Sequence, residues 1–405
     1  MKKLFTYAIV IFVLSIITLT GCGKEKTAET GAFENEQTKE PAEETEIPAE
    51  TEVPARKIKD IPDIKGIYIS GNMAGSPRFE SRLDLILTTE LNGIVIDVKD
   101  EWGNITFKNK FTRCDELGLV ENKIADIDGL LARLKEAEIY TIARINCFKD
   151  MDIADVRPDF VITTPEGKPY RENRKEDAHT WMNPYNRDVW EYLAYIAIET
   201  AKMGFDEIQL DYVRFPTDKQ MNDIEFSEEE TGGLSRTEIM VEFAKYIMEA
   251  LAPYDVVVAA DLFATIIISE VDAQLIGQDY AELAKIYDVL CPMAYPNHYH
   301  DGTLGVENPD MQPYDILLKT FEVSNQKLQA AGEEEGCHIA KIRPWVWDGT
   351  ASWLKSQGRK YQTYTGKQMQ EQFDALSDNG INGWLIWDSI NEYNGYRDLV
   401  GQPYE

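Results

Sequence analysis

The sequence has few cysteines, few histidines and no nucleotide-binding glycine motif. Its 405 residues include five cysteines and four histidines, and no two cysteines form a Cys-x-x-Cys pair. This scarcity argues against a zinc site and against thiol catalysis. No Gly-x-Gly-x-x-Gly follows the first predicted strand, so a dinucleotide-binding sheet is not expected. We therefore predict no metal and no cofactor.

Basic residues are also scarce relative to acidic ones. The chain has 41 Lys+Arg against 71 Asp+Glu, a formal net charge of -30, and no basic run. Such a surface repels phosphate backbones, so nucleic acid is not expected as a partner.

One long hydrophobic run is present, at the N-terminus. Residues 1–3 read MKK, residues 4–19 are mostly apolar, and the tetrapeptide LTGC ends at Cys22. This pattern predicts a signal peptide over residues 1–21. LTGC is similar to a bacterial lipobox, which implies acylation of Cys22 and attachment to the outer face of the cell membrane. The alternative is a plain secretory signal with an incidental cysteine.

Large apolar residues are almost missing from the next segment, residues 22–57. It contains stretches such as EQTKEPAEETEIPAETEVPA, which cannot bury enough surface to fold. We interpret it as a disordered acidic linker between the lipid and a folded domain at 58–405.

From residue 58 onward, short apolar runs alternate with segments of helical period. Helices are predicted at 126–137, 188–203 and 237–251. Eight strands are predicted, at 66–70, 93–100, 140–148, 207–215, 256–263, 289–295, 340–347 and 383–388. Continuous apolar strands joined by helical crossovers are typical of a parallel sheet covered by helices. We therefore predict an α/β fold, a (β/α)8 TIM barrel, with long loops at its C-terminal face after strands two, three, four and six.

Polar and aromatic residues recur where the predicted strands end. In a barrel these ends converge on one mouth, where the sites of such enzymes lie. The residues are Asp97, Lys99, Arg144, Asn146, Asp211, Arg214, Asp261, Met293, Tyr295, His298, Arg343, Trp345, Trp347, Asp348, Trp384, Trp387, Asp388 and Asn391. Any single Asp could be a helix cap, and the tryptophans could belong to the core.

Carboxylates at four strand ends beside flat aromatic rings nevertheless favour a sugar-binding cleft. The residues predicted to bind substrate are Asp97, Arg144, Asn146, Arg214, Tyr295, His298, Trp345, Trp347, Trp387 and Asp388. Glycoside hydrolysis commonly uses one ionised and one protonated carboxyl group. We predict that Asp211, paired with Arg214, is the ionised group and that Asp261 is the acid. Asp97, Asp348, Asp388 and Glu101 remain open as alternatives.

Several of these motifs together resemble one family. GIYISGNMAG, GIVIDVKDEWG, IARINCFKD, GFDEIQLDYVRFP, PMAYPNHY, RPWVWD and GWLIWD are similar to the bacterial putative glycosyl hydrolase domain family, also called domain of unknown function 4015. The resemblance runs from about residue 64 to 400. It implies a TIM barrel and a carbohydrate substrate.

More distant similarities bear on the mechanism. Aligned on GFD, the fourth-strand motif of chitinase-like family 18 hydrolases places its central Asp on Asp211 but its catalytic Glu on Val213, and Gln209 replaces another Asp. The chitinase mechanism is therefore not expected. The similarity to α-amylase-type barrels favours Asp211 as nucleophile but supplies no Glu on strand five.

Three hypotheses follow. The first is a hydrolase of cell-envelope or extracellular polysaccharide. The second is an inactive carbohydrate-binding barrel that serves as a surface receptor or scaffold, and the third is a metal-assisted hydrolase using His298 or His300. The first requires a second carboxylate roughly 5 to 9.5 Å from Asp211.

Overall fold

The fold is known for most of the chain beyond the N-terminal segments. The computed structural model describes residues 60–172, 178–333 and 338–404. The predicted signal peptide, Cys22, the linker and Cys337 lie outside the described residues. Within the described ranges, no helix is long and apolar enough to cross a membrane.

Eight parallel strands form a closed barrel. They are β1 (Lys65–Ile69), β2 (Gly93–Lys99), β3 (Tyr140–Asn146), β4 (Glu207–Asp211), β5 (Val257–Phe263), β6 (Val289–Met293), β7 (Lys341–Ile342 and Trp345–Trp347) and β8 (Trp384–Trp387). Each strand pairs with the next, β8 pairs with β1, and Trp345 of β7 pairs with Met293 of β6. The predicted (β/α)8 barrel is confirmed.

Helices and short helical turns cover the barrel and fill its loops. The α-helices are Gly71–Ala74, Phe79–Leu87, Thr112–Leu117, Ile127–Glu136, Ile153–Val156, Arg187–Lys202, Glu228–Thr231, Arg236–Leu251, Glu270–Ile276, Tyr280–Ala284, Pro313–Ala331, Gly366–Asp378 and Asn394–Val400. The 3-10 turns are Pro158–Phe160, Lys219–Asp223, Ala264–Ile267, Pro296–His298, Thr303–Gly305, Pro309–Met311 and Ser352–Gln357. The three predicted helices are confirmed to within one residue at each end.

Strand alternation divides the core into two layers. Side chains such as Ile67 and Ile94 point outward and pack under the helices. Alternate side chains such as Tyr68, Val95 and Trp345 point into the barrel and form a smaller inner cluster. Because every second residue faces inward, the polar residues at the strand ends also face inward, above this cluster.

Three details differ from the prediction. Strand β4 ends at Asp211 because Tyr212 adopts a left-handed backbone conformation with φ of 53°. Strand β7 is interrupted before Trp345, where Pro344 lacks the N–H that a continuous strand would donate. A small antiparallel pair, Lys149–Asp150 with Thr180–Trp181, forms in the loop after β3.

Candidate active site

Arg144 joins two carboxylates at the mouth of the barrel. Its Nη2 and Nε donate to Asp211 Oδ2 at 2.5 and 3.0 Å, and its Nη1 donates to Asp97 Oδ1 at 2.7 Å. The hydroxyl of Tyr68 donates to the other oxygen of Asp97 at 2.5 Å. All four residues are buried, so this network fixes the carboxylates of β2 and β4 in one geometry.

Arg214 does not take the place predicted for it. It makes no ion pair with any carboxylate in the described ranges, and the predicted pairing with Asp211 is wrong because Arg144 fills that position. The guanidinium of Arg214 lies instead over the rings of Trp181, Tyr212 and Phe263, with its Cζ 4.8, 5.1 and 4.4 Å from their centroids.

Asp261 lies beside Asp211 on the neighbouring strand. Leu210 and Ala260 are register partners, so the residues that follow them stand side by side, on strands about 4.8 Å apart. Asp261 Oδ1 accepts a hydrogen bond from Trp345 Nε1 at 2.7 Å. Burial, reinforced by the negative charge of Asp211, raises the pKa of Asp261 well above its usual range. Its environment therefore favours the protonated form of Asp261.

The left-handed conformation of Tyr212 shapes the end of β4. The Tyr212 N–H donates to Asp211 Oδ1 at 2.6 Å, so both oxygens of that carboxylate are engaged. The turn also sends Val213 into the outer core under the helices. Position 213, which aligns with the catalytic Glu of the chitinases, therefore faces away from the mouth of the barrel.

Two adjoining cavities open around this network. The central cavity, about 260 Å³, is lined by Arg144, Asp211, Tyr212, Arg214, Asp261, Phe263, Met293, Tyr295, His298, Trp345, Trp347 and Trp387. The side cavity, about 270 Å³, is lined by Tyr68, Ser70, Gly71, Asn72, Asp97, Asp100, Glu101, Trp102, Lys123, Arg144, Tyr212, Trp387 and Ser389. Arg144, Tyr212 and Trp387 line both cavities and form the wall between them.

Aromatic rings supply most of the apolar surface of the cleft. Trp387 stacks on Tyr68 with centroids 4.3 Å apart and meets Trp345 edge to face at 5.9 Å. His298 lies at the mouth with its ring 5.1 Å from that of Tyr295. Loss of hydration in the narrow cleft, together with the positive charge of Arg214, lowers the pKa of His298 to about 4, so the ring is neutral at neutral pH.

Two predicted substrate-binding residues line neither cavity. Asp388 accepts the backbone N–H groups of Ile390, Glu392 and Tyr393 at 2.8 to 3.0 Å, which is a structural cap of the loop after β8. Asn146 exchanges hydrogen bonds with the Lys99 backbone oxygen and ammonium group below the mouth.

Of the alternative acids, Asp97 and Glu101 line the side cavity, whereas Asp348 does not line either one. Asp348 accepts the N–H groups of Gly395 and Tyr396, both at 2.9 Å. Across the described ranges, no group of three or more His, Cys, Asp and Glu is placed to hold a metal ion.

Sequence reasoning missed several lining residues, and Tyr68 and Phe263 are two that lie on strands. Residues two apart on a strand face the same side, so Tyr68 faces inward with Ser70 and Phe263 faces inward with Asp261. Strict alternation along the two strands would have predicted both.

Comparison with known proteins agrees with this architecture. No curated protein matches the chain. A hypothetical protein from Ruminiclostridium thermocellum is 35% identical, with 48% of this chain and 96% of that chain covered and a TM-score of 0.43. The glycoside hydrolase domain of PgaB from Bordetella bronchiseptica is 14% identical, with 81% and 94% covered and a TM-score of 0.54.

A third similar structure is an α-galactosidase from Thermus thermophilus in complex with stachyose. It is 13% identical, with 86% of this chain and 67% of that chain covered and a TM-score of 0.51. At these identities the last two likenesses establish the barrel fold. Residues 66–393 match the model of the family described as "Putative glycosyl hydrolase domain". The chain belongs to this glycosyl hydrolase domain family.

Proposed function

We propose that the protein is a glycoside hydrolase that cleaves a cell-envelope or extracellular polysaccharide in the central cavity. The observation that carries the proposal is the pair Asp211 and Asp261. Arg144 forms a buried ion pair with Asp211, while burial and the neighbouring charge raise the pKa of Asp261 well above its usual range. One ionised and one protonated carboxyl group in one cleft is the arrangement that glycoside hydrolysis uses.

The spacing of the two strands favours the retaining reaction. Retaining enzymes hold their carboxyl groups about 5 to 5.5 Å apart, whereas inverting enzymes need about 6.5 to 9.5 Å for a water molecule. Adjacent residues on paired strands, about 4.8 Å apart, suit the shorter distance. In this reaction Asp261 protonates the glycosidic oxygen while Asp211 attacks the anomeric carbon and the bond to the leaving group breaks. Asp261 then takes a proton from water while the water oxygen bonds to the anomeric carbon and the bond from that carbon to Asp211 breaks, which releases the sugar and restores both carboxyl groups.

The cleft walls suit a carbohydrate. The indole faces of Trp345, Trp347 and Trp387 line the central cavity and can stack on the C–H faces of a sugar ring. Tyr295 and His298 add hydroxyl and imidazole groups that can pair with sugar hydroxyls.

The test is hydrolysis of bacterial envelope and extracellular polysaccharides by the purified full-length protein, with detection of new reducing ends. We expect Asp211→Asn to abolish turnover while the variant still folds, because shape is kept, charge is lost and Arg144 retains its ion pair with Asp97. Asp159→Asn, in an exposed pair with Arg157, is the matched control and should keep full activity. Proton NMR of the first product should show retention of the anomeric configuration. Unchanged turnover in the Asp211 variant would reject the assignment.

A second function is a barrel that binds glycan without cleaving it. It is favoured by Val213, which faces the outer core where a chitinase-like enzyme would need its acid. Saturable glycan binding with no new reducing ends, in the same screen, would establish this function and reject hydrolysis.

The proposed location is the outer face of the cell membrane. The LTGC tetrapeptide supports acylation at Cys22, and the acidic residues 22–57 would hold the barrel away from the lipid surface.

A further inference from the structure

Arg214 is a buried cation in the central cavity. Its residue is 6% exposed, and it makes one hydrogen bond with the described residues, from Nη1 to the Phe215 backbone oxygen at 2.9 Å. Its Nε is buried and makes no hydrogen bond to the described part of the chain. A buried charge without a hydrogen-bonded counter-charge is destabilising, so a guanidinium held this way points to a ligand that supplies the missing acceptors.

The nearby carboxylates do not supply them. The two oxygens of Asp211 accept from Arg144 and from the Tyr212 N–H. Glu172 is the next acidic residue whose negative charge acts on Arg214. It accepts a hydrogen bond from the indole N–H of Trp181 at 2.8 Å.

A second donor in the same cavity is also unused. Trp347 Nε1 is buried and makes no hydrogen bond with the described residues, although Trp347 lines the cavity together with Arg214. The walls therefore offer unpaired donors, while both oxygens of Asp211 and one oxygen of Asp261 already accept hydrogen bonds. A ligand that fits this imbalance must be rich in acceptor oxygens.

We propose that the central cavity binds a sugar unit that carries an anionic substituent, held by the Arg214 guanidinium and the Trp347 indole N–H. The inference rests on the proposed function for the carbohydrate nature of the ligand. A carboxylate of the uronic acid type matches the fork of a guanidinium in a bidentate pair. A phosphate or sulfate ester offers the same chemistry, so the test must separate these sources.

The experiment is a titration of the full-length protein, followed by tryptophan fluorescence and calorimetry, with matched oligosaccharides. The first pair is a hexuronic acid oligosaccharide and its carboxyl-reduced, neutral counterpart. A phosphorylated and a sulfated form of a neutral oligosaccharide are titrated separately. We expect at least about tenfold tighter binding of one acidic form than of the neutral one, with a preference that weakens as salt is added. Tighter binding of the phosphorylated or sulfated oligosaccharide alone would support the anion site and identify the ester as the group that it binds.

Arg214→Gln should remove the preference, so that the acidic and the neutral oligosaccharide bind with affinities within about twofold of each other. Arg214→Lys keeps the charge without the fork and should retain part of the preference. Arg157→Gln, at a half-buried arginine that lines neither cavity, is the matched control and should behave as wild type. If the Gln variant does not fold, the Lys variant and the salt dependence of the wild type decide.

Equal binding of the neutral and all acidic forms, or an equal loss for both in Arg214→Gln, would overturn the inference. These outcomes are distinct from failure of the hydrolase proposal. Preference for acidic sugars without cleavage rejects hydrolysis alone, whereas cleavage of neutral glycans without any charge preference rejects the anion site alone.

Discussion

Replacing Arg144 tests how strongly its two buried ion pairs stabilise the site. Arg144→Met keeps much of the side-chain volume but removes the partner of both Asp97 and Asp211. Removing one partner of a buried ion pair costs about 3 to 5 kcal/mol, because the other charge is left uncompensated. We expect a loss of this size in the free energy of unfolding at pH 8.

The loss should depend on pH. Burial raises the pKa of Asp97 and Arg144 opposes that rise, so without Arg144 the pKa of Asp97 should move further above the unfolded value of about 3.9. The folded variant then binds more protons than the unfolded variant between these pKa values, so its stability falls as the pH rises through that window. The slope approaches about 1.4 kcal/mol per pH unit. The deficit relative to wild type should therefore be smaller at pH 5 than at pH 8.

The assay is urea unfolding at both pH values, followed by tryptophan fluorescence. Arg133→Met is the control, since Arg133 pairs with Glu80 at the surface and such pairs contribute about 1 kcal/mol or less. A deficit for Arg144→Met that is below about 1 kcal/mol, or equal at the two pH values, would refute the reasoning. Loss of turnover is also expected, because Asp211 would lose the two hydrogen bonds from Arg144 that fix its position.

Three further predictions concern other residues. Asp261→Asn should lower kcat by a factor of about 10² to 10⁴ and remove the alkaline limb of the pH profile of kcat, with a smaller loss for aryl glycosides that have good leaving groups. An unchanged pH profile would exclude Asp261 as the acid. Asp388→Ala should lower the free energy of unfolding by about 1 to 3 kcal/mol, measured in urea, and leave kcat unchanged, because it caps backbone N–H groups outside the cleft; a fall in kcat in the folded variant would contradict this placement. Cys22→Ser should move the protein from the membrane fraction to the soluble fraction and abolish labelling by a palmitate analogue; labelling of the variant would contradict the anchor.

Strand periodicity made the barrel and most of the cleft predictable. Residues two apart on an inward face, such as Trp345 and Trp347, share one side of a strand in any register. The converging ends of parallel strands then bring them together with Asp211 and Asp261. The capping hydrogen bonds of Asp388 could not be predicted, because an Asp at a strand end looks the same in sequence whether it faces a cavity or caps a loop.

The partner of Asp211 could not be predicted for a different reason. Arg214 is three residues away in sequence, but Tyr212 breaks the extended conformation between them, so alternation no longer gives its direction. Arg144 is register partner of Gln209, and its long side chain reaches along the sheet to Asp211 on the neighbouring strand. Which arginine reaches which carboxylate depends on the register of β3 and β4, which local sequence does not specify.

The conformation of Tyr212 also bears on how far the protein can be stabilised. A tyrosine in the left-handed region costs of order 1 to 3 kcal/mol, which a glycine would largely avoid. Yet the tyrosine ring forms part of the wall between the two cavities and lies against Arg214. A glycine at this position would therefore raise the stability of the protein but remove part of the cavity wall. We expect the more thermostable variant to be a poorer catalyst.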